Sequence, residues 1–238
     1  MMDIERIVYE DDHILIYNKP AGLAVQTKRL TETDLETGIK NYLFAKYGHT
    51  PYLGLVHRLD QPVEGLVLFA KTKEAASFLG EKIGSDEVEK RYAAVVEGVP
   101  DPSEGRLEDY IVWDGRTNMA EVILPGSRTA GGRKAALSTL SYKVTEEGAF
   151  EGRRVSLVDI RLFSGRHHQI RAQLKNMGCP IIGDRKYNDI SPGPTGVSFP
   201  ALAAVKMVFP HPVTGRRIEA AIEPSNPVFE IFDHFQKK

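Results

Sequence analysis

The chain of 238 residues has one cysteine, one tryptophan and a formal net charge of only −1, and each scarcity excludes something. Cys179 alone cannot form an internal disulfide or a cysteine-based zinc site, and a lone thiol fits a reducing compartment. No run approaches the ~18 apolar residues of a membrane helix. The opening "MMDIERIVYEDD" is charged and has no apolar core, so it does not read as a secretory signal. A pI near 6.7 lacks the basic excess of a dedicated nucleic-acid-binding domain. No G-x-S-x-G elbow and no G-x-G-x-x-G turn after the first strand supports a serine hydrolase or a dinucleotide fold. Mixed charge and a hydrophobic fraction of 42% exclude disordered and fibrous classes. The expectation is a soluble cytoplasmic protein: one large domain, or two lobes sharing a core.

The patterning is mostly that of strands. "RIVYEDDHILIYNKPAGL" reads as strand, turn, strand, stopped by Pro20 and Gly22. "TDLETGIKNYLFAKYG" reads as a helix with a capping box at Thr33 and Glu36, apolar Leu35, Ile39 and Leu43, and Gly48 past its end. "YLGLVHRLDQPVEGLVLFAKT" follows as two strands, then a helix from Thr72 to Gly84 and the strand "EKRYAAVVEG". "LSTLSYKVTEE" and "RRVSLVDIRLF" pair as antiparallel strands. "RHHQIRAQLKNMG" is the strongest helix, with Ile170, Leu174 and Met177 on one stripe and Gly178 at its end. "FPALAAVKMVFPHPVTGRRIEAAI" reads as two strands around a turn. "GSRTAGGRK", 126–134, reads as an exposed loop. Helices are few and do not alternate with strands, which favours an α+β fold on a mixed, largely antiparallel sheet.

Two charged residues stand out. Asp60 lies between apolar runs that draw it toward the core. Arg166 lies four residues before Ile170, on the inward stripe of the expected helix. A guanidinium there wants an anion, and a pair would keep Asp60 ionised. An ordinary ion pair, or two unrelated surface charges, fits the spacing as well. Between Gly152 and Lys175 six basic residues face one acid, so a basic groove on a neutral body is open. His167 and His168, adjacent on a helix, point to different faces with no carboxylate at ligand spacing, so no metal is expected.

At these residues the chain resembles the RluA branch of RNA pseudouridine synthases. "HRLD" with "GLVLFAKT" resembles the catalytic motif, "VYEDDHILIYNKPAGL" the N-terminal strand pair, and "EKRYAAVVEG" the tyrosine-bearing strand. "SGRHHQIRAQLKNMGCPIIGDRKY" resembles the arginine motif with its Gly-Asp-x-x-Tyr sequel, and "FPHPVTG" the C-terminal turn. In this order they cover the chain from about Arg6 to Ile222. The resemblance implies a curved mixed sheet in two lobes around an RNA-binding cleft, a single catalytic domain over 1–238 with no N-terminal accessory domain, and isomerisation of uridine to pseudouridine in ribosomal or transfer RNA. It implies Asp60 as the catalytic aspartate, Arg166 as its partner, and Tyr92 as the platform for the target base. Arg58 would fill the gap left by the flipped uridine. Lys19, Lys71 and the stretch holding Arg161, His168, Arg171 and Leu174 would face the RNA. For His57, beside Arg58, a hydrogen-bonded structural role is the stronger expectation over RNA contact. No cofactor is implied, because no electrons or groups leave the substrate; the expected state is a monomer.

The chain departs from the family pattern at Val63 and Glu64, where small hydroxyl residues are common, at Ser164, where threonine is usual, and at Asn188, where glycine is usual. An acid at Glu64 bears on substrate choice more than on chemistry. Two other functions remain open on the residues alone: a non-catalytic RNA-binding protein on the same scaffold, and a cofactor-free hydrolase using Asp60 with His57 or His168.

Overall fold

The structure is a computed structural model and describes residues 2–27, 33–49, 51–123, 129–130, 133–188 and 197–235. In chain order the strands and helices are β1 (Ile7–Glu10), β2 (Ile14–Lys19), α1 (Leu35–Tyr47), β3 (Gly54–Leu55), β4 (Glu64–Ala70), α2 (Lys73–Lys82), β5 (Glu89–Glu97), β6 (Glu104–Asp114), β7 (Met119–Ile123), β8 (Thr129–Ala130), β9 (Arg133–Lys134), β10 (Ala136–Phe150), β11 (Arg153–Leu162), α3 (Gln169–Asn176), β12 (Leu202–Pro210) and β13 (Arg217–Ala221). The fold is α+β and largely antiparallel, as the patterning indicates. Much of the glycine-rich stretch 126–134 lies outside the described residues; β8 and β9 pair within it. No helix among the described residues is long and apolar enough to cross a membrane.

The chain divides into two compact units, residues 1–90 with 204–222 and residues 91–203 with 223–238. In the first, β2 pairs antiparallel with both β1 and β4, and β12 pairs antiparallel with β13. Every residue of β4 is buried, which is why it reads as an unbroken apolar run rather than an alternation. Ile14, Ile16, Leu66, Leu68, Met207 and Phe209 form a core with Ala75 and Leu79 of α2. Gly65 is required where β4 meets β12. Its φ is +123°, and a Cβ there would lie 2.4 Å from the carbonyl oxygen of Ala204.

The helix ends follow local chemistry. Thr72 caps α2 through Ala75 N–H, as expected. The cap of α1 is Asp34, one residue later than the Thr33 of the expected capping box. Its carboxylate accepts from both Thr37 and Thr27 N–H. Glu36, the other member of that box, instead meets Lys40 and Gln26. Gly48 ends α1 at φ 75°.

In the second unit the strand order is β5-β11-β10-β6-β7, all antiparallel. Directly opposed residues share a face. One line across the sheet runs Tyr92, Ile160, Tyr142, Gly105. Ala172 of α3 and Tyr187 pack with Ile111 and Ala120 on that same face. The neighbouring line, Arg91, Arg161, Ser141, Arg106, belongs to the opposite face.

Candidate active site

Asp60 lies half-buried in the segment joining β3 to β4, and buried Leu59 and Val63 anchor that segment on either side. Val63 N–H closes a turn onto the Asp60 carbonyl at 3.0 Å. Gln61 then ties the turn to the loop after β2: its carbonyl accepts from Gly22 N–H at 2.9 Å, and its amide donates to the Gly22 carbonyl at 3.0 Å. Lys19 completes the tie. Its ammonium, with no solvent exposure, donates to the carbonyls of Pro20, Leu23 and Gln61 at 3.0, 2.8 and 3.1 Å. Burial pushes Lys19 down to about 7, against the attraction of Asp60 and Glu64. Lys19 is therefore a hub behind Asp60 and not the phosphate contact expected of it. Glu64, the departure from the family pattern, is buried at the start of β4, where its charge acts on Lys19.

The neighbours of Asp60 divide by exposure. Arg58 is exposed. His57 is turned inward, and its Nε2 accepts from Leu68 N–H at 3.2 Å. Burial, reinforced by the charge of Lys90, pushes its imidazole down to about 4, which favours the neutral ring that the Leu68 bond uses. Lys71 is also taken. It is buried and donates to Glu10 at 2.8 Å, the Asp11 carbonyl at 2.5 Å and the Tyr47 hydroxyl at 3.1 Å. The expected backbone contact at Lys71 is thus corrected: the residue ties the turn between β1 and β2 to α1.

In the second unit Tyr92 lies on β5, opposite Ile160, with 7% of its surface exposed. Arg166 is exposed, but it is not on the inward stripe of α3, because that helix begins three residues later, at Gln169. His168, at φ 53°, sets the turn that precedes it. Gln169 holds the turn in place. Its side-chain oxygen accepts from Arg166 N–H at 3.1 Å and Ser164 Oγ at 2.9 Å, and its amide donates to the Thr139 carbonyl at 3.2 Å. Ser164 Oγ also accepts from Thr139 N–H at 2.8 Å, so serine at this departure keeps the hydroxyl the turn uses.

The rest of the arginine motif is scaffold. Leu174 has no exposed surface and belongs to the core. Arg171 is buried against Asp184, with Nε and Nη2 at 2.6 and 2.7 Å from the two carboxylate oxygens. Neither faces RNA, contrary to expectation. Asp184 also accepts from Lys186 and Tyr187 N–H, so the Gly-Asp-x-x-Tyr stretch is a clasp around one guanidinium. Buried His168 places Nδ1 2.9 Å from the Tyr187 hydroxyl, which accepts from Ala120 N–H at 2.6 Å. Arg161, expected to face the RNA, lies on the face of the sheet opposite Tyr92, and its guanidinium and that of Arg106 each sit 4.9 Å from the Phe163 ring centre.

Residues 13–176 match the family model for RNA pseudouridylate synthase. The chain belongs to the RNA pseudouridylate synthase family. Among its relatives are the uncharacterized RNA pseudouridine synthase YhcT of Bacillus subtilis, 33% identical over 90% of this chain and 67% of that protein, and ribosomal large subunit pseudouridine synthase C of Escherichia coli, 32% identical over 91% and 66%. The chain thus spans about two thirds of the length of these relatives. Two human structures share the fold. RNA pseudouridylate synthase domain containing 4 has a TM-score of 0.74 at 23% identity, covering 93% of this chain and 89% of that one. Domain containing 1 has a TM-score of 0.72 at 23% identity, covering 93% and 84%. Asp60, Tyr92 and Arg166 all fall inside the span matched to the RNA pseudouridylate synthase family.

Trp113 is a site-region residue that the motifs did not flag. Strand alternation on β6 puts it on the face of Ile111, hence of Tyr92 and α3. Its ring stacks on His167 with centres 3.9 Å apart and planes 19° from parallel. The alternation of "IVWDGR" was the available signal.

Proposed function

We propose that this chain isomerises uridine to pseudouridine within structured RNA, with Asp60 as the carboxylate that acts on the target nucleotide. The observation that carries the reading is the setting of Asp60: a half-exposed carboxylate on a turn stitched in place by a buried lysine, within the matched family span. The reaction breaks the bond from N1 to the ribose C1′, turns the base and forms a bond from C5 to C1′. C5 loses a proton and N1 gains one, so no electrons, groups or cofactor are consumed. Asp60 initiates this by attack on the sugar carbon, attack on the ring, or removal of a sugar proton; the three routes make the same demand for a fixed, ionised oxygen.

The other roles follow from chemistry and exposure. A base within a duplex is out of reach, so it is extruded at a cost of a few kcal/mol. Stacking on Tyr92 returns ~1–3 kcal/mol. Exposed Arg58 fills the vacated position, and Arg166 supplies a positive charge that cannot be lost by deprotonation. A relative named for the ribosomal large subunit favours ribosomal RNA over transfer RNA as substrate.

Asp60→Asn tests this directly. Pseudouridine formation on RNA from a strain lacking the gene is expected to fall below detection, while RNA affinity and thermal unfolding stay at wild-type values. Turnover retained in that variant refutes the role of Asp60. RNA affinity with no product in the wild type points to the non-catalytic reading instead, and release of free uracil to a hydrolase.

A further inference from the structure

The second unit carries an aromatic assembly around His167, a residue given no role above. His167 is exposed and lies flat on Trp113, while His168 meets both rings edge-on, at 5.3 Å from Trp113 and 4.7 Å from His167. His168 is in turn pinned beside the Tyr187 hydroxyl, and Trp113 packs against the cluster of Ile111, Ala120, Ala172 and Tyr187. The imidazole of His167 is therefore held in one plane by groups beneath and beside it, and little ordering remains for a ligand to supply.

Basic residues flank the members of this assembly along the chain. Arg166 precedes His167 and is exposed. Arg116 is exposed in the turn after Trp113. Lys186, next to exposed Arg185, donates to the Asn118 carbonyl of the same turn at 3.0 Å. The nearby acid Asp114 is engaged by Arg133 at 2.8 Å. A flat exposed ring on an aromatic support, with exposed basic residues next to its members in sequence, matches an unpaired nucleobase with its phosphates, since bases in single-stranded loops stack on aromatic or histidine rings.

We propose that His167, backed by Trp113, is a stacking platform for a second, unpaired base of the RNA, distinct from the base on Tyr92. It would make the chain selective for uridines in single-stranded loops over those in continuous duplex. The proposal rests on the RNA-modifying reading above.

Trp113 is the sole tryptophan, so its fluorescence reports on this platform alone. The probes are a hairpin RNA with a uridine-rich loop and a twin whose loop is abasic, which keeps the phosphates and removes the bases. The hairpin is expected to quench Trp113 emission and the abasic twin is not. His167→Ala, at an exposed position, is expected to weaken hairpin binding by ~10-fold, with most of the loss in KM and little in kcat. His167→Phe, which keeps a flat ring, is expected to restore it. Equal quenching by both RNAs, or hairpin affinity unchanged in His167→Ala, overturns the platform. Product formed by His167→Ala at wild-type KM overturns it too and leaves the isomerase reading standing. Base-dependent quenching without product in the wild type supports the platform and refutes that reading.

Discussion

Arg171 grips Asp184 through two parallel hydrogen bonds of 2.6 and 2.7 Å, with 3% and 0% of the two side chains exposed. The pair joins α3 to the Gly-Asp-x-x-Tyr segment, and Tyr187 at the end of that segment braces His168. Removing one partner strands the other charge away from water. Arg171→Met or Asp184→Asn alone is expected to cost about 3–5 kcal/mol in urea unfolding, whereas the double change to apolar residues costs less than the sum. Arg171→Lys is expected to fare nearly as badly as Arg171→Met, because an ammonium cannot reproduce the two-pronged geometry. Additive single and double changes would show that the pair is not coupled.

Lys19 gives a dependence on alkaline pH. Its native pKa of about 7 lies below the ordinary lysine value of 10.5. Between those values the unfolded chain holds a proton that the folded chain has shed, so this group's contribution to stability rises with pH through the window. The slope is at most about 1.4 kcal/mol per pH unit. Below pH 7 both states carry the charge and the cost of burying it is fully present. Lys19→Met is expected to flatten the rise between about pH 7 and pH 9 relative to wild type. It is also expected to lower activity, because the turn bearing Asp60 loses its tie to the loop after β2. Identical pH slopes in wild type and variant would show that Lys19 stays charged throughout.

The strands were readable because their signals are local: alternation in β11, an unbroken apolar run in β4, and turn residues between. Asp60 stands out by its place between two apolar runs, whereas Tyr92 is singled out only by its motif context. What misled was the assumption that a basic residue within an RNA-related motif faces RNA. Lys19, Lys71 and Arg171 each carry their charge inward, and the groups that accept it come from distant parts of the chain: the Gln61 carbonyl, Glu10 and Asp184. No local pattern announces such a partner. The start of α3 was misplaced for a related reason. Period alone extends the helix back to Arg166, while the left-handed backbone at His168 and the bonds of Gln169 to β10 end it. Trp113 was missed because its stacking partner, His167, lies on another element.

His57 gives the acid counterpart. Its Nε2 accepts from Leu68 N–H, and burial with the nearby charge of Lys90 lowers the imidazole to about 4, against an ordinary value of 6.5. Between those values the unfolded chain binds a proton that the folded chain refuses. Stability from this group is therefore complete above pH 6.5 and is lost as pH falls toward 4, by up to about 3 kcal/mol. A protonated Nε2 would also turn a donor toward the Leu68 amide, so acid loosens the start of the segment that bears Asp60. His57→Gln offers an amide oxygen in place of Nε2 and cannot titrate. It is expected to lose some stability near neutrality and to show a shallower decline between about pH 6.5 and pH 4.5 in urea unfolding. Imidazole proton resonances of His57 that shift with a midpoint near 6.5 would show that the ring is not shielded, and would remove the basis for the acid slope.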